Sequence, residues 1–555
     1  MRRRAKDKAV VIVSVFCLAV LMFSSALAVQ GGGTVDLAAN VDITLVGMGV
    51  SDGVSGSGPG QIGGLLMTAA ADVNNDGMSD LLVGVPFNDG PDGKRTNAGA
   101  AYVILAQKGQ SLPLVRDLNV AKPDVILYGA EANDQLGISL ATGDLNGDGI
   151  ADIIVGAPQS DGPNNTRPNV GKVFILFGGA SLTMSPVRDT RALSPVGPAP
   201  DLTIIGWGGP PDAGGTLPGG DAVGSSVGSG DVNGDGIDDL IVGAPGVKGP
   251  DGKRTANGNG GAAYVLYGSK SLAAGTKDLG AGNGTIPAGV DIVVYGKTAP
   301  LVIGGIAIPG TRVGESLGAG VAVGDVNGDK MKDLIVGAST FTNPDTFQGI
   351  AYVFFGSKTP TSPRDTMVAN APKGPDASIL GINTLDFLGR VMAIADVNGD
   401  GIDDMTFGAS SAPGPGDRPN AGSVYVVFGS AALKGRRDLG NANQKPDVLI
   451  YGAETGDGFG SSVAAADMNG DGVKDIVIGA PVADGPNNQR DGAGEVYIVH
   501  GGASLKSGTT RDVSTQAGQG VDGAISGANT GDEVGFSIAV GDFNGDGKAD
   551  IAATA

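Results

Sequence analysis

Seven sets of acidic and amide side chains recur along this chain at one spacing, Asp-x-Asn-x-Asp-x-x-x-Asp. They are Asp72, Asn74, Asp76 and Asp80; Asp144, Asn146, Asp148 and Asp152; Asp231, Asn233, Asp235 and Asp239; Asp325, Asn327, Asp329 and Asp333; Asp396, Asn398, Asp400 and Asp404; Asp467, Asn469, Asp471 and Asp475; and Asp542, Asn544, Asp546 and Asp550. Carboxylate and amide oxygens at alternate positions, closed by a further carboxylate, are what a hard cation such as Ca²⁺ requires. Gly at position six, as in Gly149, lets the backbone turn at positive φ without a Cβ clash. The fourth set departs, with Lys330 at that position. Strain of about 1 kcal/mol and an added positive charge make it the weakest expected site. Turn-forming preference for Asp, Asn and Gly would explain one such loop, but not seven with the same acid spacing.

The elements that position these sets follow from the flanks. Helix-loop-helix calcium motifs need an acid at position twelve. Here that position holds Val83, Val155, Val242, Val336, Phe407, Ile478 and Ala553, all apolar and in strand-like runs. The loops are therefore expected at the tips of β-hairpins. The sixth repeat shows the whole unit: Asp447 to Gly452, then Phe459 to Asp467, then Asp475 to Pro481, then Glu495 to Gly501. Short runs rich in β-branched residues and bounded by Gly, Pro, Asn or Asp read as strands. Runs such as Ile476-Val477-Ile478 are apolar at successive positions, so both strand faces are expected to be buried. Four antiparallel strands per repeat, seven repeats and radially stacked sheets predict an all-β, seven-bladed β-propeller over residues 41–555.

With Phe459-Gly460 before the loop and Gly479-Ala480-Pro481 after it, the unit resembles the FG-GAP repeat of integrin α-subunit propellers. The Gly-Ala-Pro half recurs at Gly156 to Pro158 and Gly243 to Pro245, and is altered elsewhere, as in Gly84-Val85-Pro86. Repeats 71 to 94 residues apart leave no room for an integrin insertion domain. The resemblance is thus to secreted prokaryotic FG-GAP proteins. It implies acidic loops on one face of the propeller and ligand binding on the other. The run Val41 to Gly47 matches the strand that precedes each inner strand, so it is expected to close the ring as the outer strand of the last blade. A counterpart of Glu495 to Gly501 is lacking after Asp550, so the last blade is expected to be incomplete, or the sequence truncated.

Composition fits this reading. Glycine makes up 99 of 555 residues, far above the usual share of about 7%, and falls at turns without a collagen-like period. A net charge of −21 argues against nucleic acid as a partner, and seven Ca²⁺ ions, +14, would reduce it to −7. Residues 1–28 have the form of a signal peptide: basic Arg2 to Lys8, apolar Ala9 to Phe23, and Ala26-Leu27-Ala28 as a cleavage site. An uncleaved anchor is the alternative. Residues 29–40 read as a short segment before the propeller. The only cysteine, Cys17, lies in the leader. These features predict a secreted, cell-surface or periplasmic protein without a membrane span after cleavage.

A second pattern follows the Gly-Ala-Pro runs. Arg95, Arg167, Arg254, Arg418 and Arg490 recur in Gly-Pro-containing loops. A ring of arginines could grip carboxylates, sulfates or phosphates. Alternatively, each Arg pairs with a neighbouring Asp and orders its own loop. His500, the only histidine, and Trp207 read as packing residues. The expectation is a binding or adhesion module for extracellular proteins or glycans, with up to seven structural Ca²⁺ ions and no enzymatic activity. A propeller hydrolase or lyase and a structural envelope component are its rivals. The oligomeric state is not legible.

Overall fold

The structure is a computed structural model describing residues 10–13, 19–22, 33–36, 43–46, 67–106, 115–117, 122–191, 197–208, 220–248, 259–281, 289–303, 306–340, 348–360, 362–365, 374–514 and 520–554. Each repeat begins with the same hairpin. In the second, Ser139–Gly143 runs into the acidic loop and Asp152–Ala157 leaves it antiparallel, Gly143 lying opposite Asp152. Lys172–Leu176 pairs with the far edge of Asp152–Ala157, and Leu202–Ile205 pairs antiparallel with Lys172–Leu176.

The four-strand expectation needs one correction, because a fifth strand is added. Gly275–Asp278, which follows the third strand of the next repeat, lies parallel to Leu202–Ile205. Six sheets share this five-stranded order. Five of them borrow the outermost strand from the following repeat in this way. The sixth takes Gly33–Asp36, which pairs with Gly523–Ser526. Part of the segment 29–40 is thus built into a sheet and does not precede the fold. The seventh hairpin, Ile538–Gly541 with Asp550–Thr554, belongs to a sheet of another order. Val10–Val13 lies parallel to Asp550–Thr554, and Ala19–Met22, Ile43–Val46 and Val115–Asp117 follow.

The apolar runs explain the stacking. The strand leaving the acidic loop is buried at all six positions in each of the first six repeats. Alternate residues of that strand point to opposite faces, and each face meets a different repeat. Leu82 packs with Ile153, Val155 and Phe174 of the second repeat. Leu81 and Val83 pack with Ala539, Phe543 and Ala552 of the seventh. Each such side chain contributes about 1.5–3 kcal/mol on burial. The FG and GAP glycines mark where repeats touch. A Cβ on Gly156 would lie 2.2 Å from the carbonyl oxygen of Gly224, and one on Gly479 1.9 Å from that of Gly535. Among the described residues no helix is long and apolar enough to cross a membrane.

Candidate functional site

The acidic loops share one hydrogen-bonded form. In the second, Asp144 Oδ1 accepts the Asp148 N–H at 3.0 Å, and Oδ2 accepts the Gly149 N–H at 2.8 Å. Asn146 Oδ1 accepts the Asp148 N–H at 2.9 Å, and Asp148 Oδ1 accepts the Ile150 N–H at 2.9 Å. The ninth-position carboxylate ties the hairpin together. Asp152 Oδ2 accepts the Leu145 N–H at 3.0 Å, while Oδ1 accepts the Gly178 N–H, beyond the third strand, at 2.9 Å. The fourth loop keeps this pattern despite Lys330, which adopts φ +72 and donates its N–H to Asp325 Oδ2 at 2.8 Å.

All seven ninth-position aspartates, Asp80, Asp152, Asp239, Asp333, Asp404, Asp475 and Asp550, are fully buried. Burial pushes the carboxyls of Asp80, Asp152, Asp239, Asp333 and Asp404 up to about 7, against the opposing pull of backbone N–H donors. The other carboxylates of the same loop add to the rise. In the first loop Asn74 Oδ1 is buried without a hydrogen-bond donor. That oxygen and the carboxylates of Asp72, Asp76 and Asp80 in the same loop are donor types that a hard cation takes. Among the described residues, however, no three His, Cys, Asp or Glu side chains are gathered closely enough to hold an ion. In several loops the asparagine amide lies between the carboxylates instead. Asn327 Nδ2 donates to Asp329 Oδ2 at 3.1 Å and to Asp333 Oδ1 at 3.2 Å.

Adjacent loops are joined by backbone. In all but the second loop, the eighth-position N–H donates to the first-position carbonyl of the preceding loop, as in Asp238 to Asp144 at 3.1 Å and Asp403 to Asp325 at 2.9 Å. The Ser79 N–H makes the same bond to the Asp542 carbonyl, first repeat to seventh, at 2.9 Å.

On the opposite rim the arginines turn inward. Arg95 is 6% exposed and donates to both oxygens of Asp189, at 3.0 and 2.7 Å, and to the Gly129 carbonyl at 2.6 Å. Arg167 holds Asp278 and the carbonyls of Gly206 and Trp207. Arg418 holds Asp512 and the carbonyls of Gly452 and Ala453. Arg490 donates to the Gly527 carbonyl at 2.6 Å, and Arg254 lies outside the described residues. Each carboxylate partner sits on the fifth strand of the same sheet, a strand borrowed from the next repeat. Sequence reasoning missed these aspartates. Their signal was a basic-acidic dipeptide recurring as Arg116-Asp117, Arg188-Asp189, Lys277-Asp278, Arg364-Asp365, Arg437-Asp438 and Arg511-Asp512. Trp207 is 4% exposed and lies in the core. His500 is half-buried, its N–H donating to Asp522 Oδ2.

A second overlooked set lies before the inner strands. Asp134, Asp221, Asp386 and Asp457 are buried, and burial raises each carboxyl to about 6. They brace the loops there: Asp386 Oδ2 accepts from the N–H groups of Ile382 and Asn383 and from the Tyr425 hydroxyl.

A family model described as the FG-GAP repeat matches seven stretches, residues 68–104, 136–176, 223–266, 317–354, 388–427, 459–499 and 534–555, each holding one acidic loop. The chain is an FG-GAP repeat protein. Its propeller is integrin-α-like: integrin alpha-3 of Cricetulus griseus is 41% identical over 108 residues, 19% of this chain and 9% of that protein. Integrin alpha pat-2 of Caenorhabditis elegans is 28% identical over 268 residues, 47% of this chain and 18% of that protein. The phosphatidylinositol-glycan-specific phospholipase D of Rattus norvegicus is 32% identical over 208 residues, 37% of this chain and 23% of that protein. The chain thus spans less than a quarter of the length of each of these relatives. Relatives of the same name from mouse, cattle, human and Dictyostelium discoideum also match. They correct the expectation of no enzymatic activity, since these similar proteins carry an enzyme's name.

Proposed function

We propose that this FG-GAP protein is a calcium-stabilised, seven-bladed propeller that works outside the cytoplasm as a binding module for a protein or glycan. The observation that carries the calcium assignment is the buried ninth-position aspartate, present in all seven loops, each of which carries two further aspartates in its sequence. A bound Ca²⁺ would supply positive charge where burial makes an ionised carboxylate costly. The seven-blade count is supported by the packing of Leu81 and Val83 on the seventh hairpin and by the Ser79 to Asp542 hydrogen bond. Closure by the N-terminal region is supported by Ile43–Val46, which pairs with Val115–Asp117 as fourth strands pair with fifth strands elsewhere. The leader-like composition of residues 1–28 supports export, although Val10–Val13 and Ala19–Met22 within them pair in the seventh sheet, so cleavage would remove two of its strands.

The relatives favour a second reading, in which the propeller serves the cleavage of a phosphatidylinositol-glycan. One set of experiments separates the two. Residues 29–555 are screened against glycans, matrix proteins and a phosphatidylinositol-glycan substrate, in millimolar calcium and in chelator. Calcium-dependent capture without turnover supports the binding module, and release of the glycan supports the hydrolase. For the metal, Asp467→Ala with Asp471→Ala should lower the melting temperature in calcium and change it little in chelator. Equal losses in both buffers would remove the metal from that loop.

A further inference from the structure

The chain carries 58 acidic against 37 basic residues, yet one groove is lined by cations alone among its charged groups. It encloses about 430 Å³ between Lys434, Arg436, Arg437 and Lys445, with Gln444 and Ser507 completing the wall. It lies where the outermost strand of one sheet, Gly435–Asp438, meets the turn that leads into Thr509–Asp512 of the next.

One of the four cations is structural. Arg437 donates to Asp447 Oδ2 at 2.8 Å and to the carbonyls of Gln444 and Lys445. The equivalent arginines of other repeats do the same, Arg188 with Asp201, Arg364 with Asp376 and Arg511 with Asp522. Lys434 and Lys445 are additional. Lys434, Arg436 and Lys445 are exposed, and among the described residues no carboxylate pairs with Lys434 or Lys445. Cations on an edge strand can simply block unwanted pairing. That does not account for Lys445, which stands on the returning loop. Nor does it account for a rigid wall, held by the Asp438 N–H on Gln444 Oε1 at 2.9 Å and by Ser507 Oγ on Asp447 Oδ1 at 2.8 Å.

We propose that this groove binds an anionic glycan through its sulfate or carboxylate groups. Cations flanked by amide and hydroxyl groups suit a charged sugar, whose hydroxyls need hydrogen-bond partners. Among the described residues the exposed large apolar ones, Met184, Leu385 and Val482, are not in this groove, so it offers no large apolar side chain to a bilayer. It has no aromatic ring on which a nucleobase could stack. The proposal rests on the binding-module reading and names its ligand class.

The test measures binding of the protein to dextran sulfate, carboxymethyl dextran and neutral dextran, and to vesicles containing anionic phospholipid. The protein should bind at least one anionic dextran and not the neutral one. Lys434→Glu with Lys445→Glu should weaken that binding at least about tenfold at an unchanged melting temperature, while Lys270→Glu, on another repeat, should not. Equal binding by wild type and the double variant overturns the proposal, as does a preference for vesicles over the anionic dextrans. Binding of a neutral glycan or a protein alone overturns the groove and leaves the binding module standing. No binding to any of these overturns both.

Discussion

Arg95 and Lys94 are consecutive, and their structural surroundings predict opposite costs. Lys94 Nζ lies 3.8 Å from Asp92, with the two side chains 80% and 51% exposed. Exposed pairs of this kind contribute roughly 0–1 kcal/mol. Arg95 and Asp189 are 6% and 0% exposed, joined by two hydrogen bonds and reinforced by the Gly129 carbonyl. Removing one partner of a buried pair costs up to about 3–5 kcal/mol, and less for Arg95→Ala than for Asp189→Ala, because Arg191 Nη2 still lies 3.6 Å from Asp189. Because Asp189 belongs to a strand lent by the second repeat to the sheet of the first, the loss also frees that strand's end. Arg95→Ala, Lys94→Ala, Asp189→Ala and the double variant Arg95→Ala with Asp189→Ala should be unfolded in urea and their midpoints compared at constant slope. The single changes at the buried pair should each shift the midpoint severalfold more than Lys94→Ala. The double variant should cost less than their sum by about 2 kcal/mol or more. If Arg95→Ala costs no more than Lys94→Ala, the rim pair is not a structural latch, and the arginine ring is again available to a ligand.

Three further expectations test other parts of the fold. Gly156→Ala should cost about 1–3 kcal/mol through overpacking, because its Cβ would meet backbone at 2.2 Å. Gly149→Ala, at φ +87 in open space, should cost only about 1 kcal/mol, and the reverse order in thermal melts would refute the contact. Asp457 tests pH dependence: its buried carboxyl, raised to about 6, holds a proton that the unfolded chain releases above 3.8. Stability should therefore fall as pH rises from about 4 to 6, by at most about 1.4 kcal/mol per unit for this group. Asp457→Asn should match wild type near pH 3.5 and exceed it at pH 7; equal melts at both would reject the shift. Lys330→Gly relieves positive-φ strain, so it should raise the melting temperature slightly in chelator and further in calcium. A gain no larger in calcium would remove the metal from the fourth loop.

Local patterns were legible in the sequence and long-range ones were not. The acidic spacing located the tip of the first hairpin in each repeat, and successive apolar residues such as Ile476 to Ile478 announced a strand buried on both faces. The fifth strand escaped because parallel pairing between segments such as Val125–Tyr128 and Val187–Asp189 leaves no local signature. The Arg-Asp dipeptide was repeated often enough to be found, but only its partners explain it. Arg95 and Asp189 are 94 positions apart, and Arg167 and Asp278 are 111 apart. A neighbouring Asp in sequence was the natural expectation, and the topology supplies one from the next repeat instead. The same limit hid Gly33–Asp36, whose role depends on an open sheet edge far along the chain.

These borrowed strands and braced loops change what the repeats are. In a linear array each unit meets only its neighbours, and stability is close to a sum over units and interfaces. Here, at six of the seven junctions, an eighth-position N–H donates to the first-position carbonyl of the previous loop, and Ser79 carries this from the first repeat to the seventh. Arg95, Arg167 and Arg418 then each fasten a strand lent across the same boundary. A perturbation confined to one loop is therefore felt in two sheets. The carboxylates bound by calcium in the proposed function are the groups that shape the backbone making these bonds. Loss of a single loop should then weaken both adjoining blade contacts, a penalty larger than one turn of chain and smaller than the whole fold.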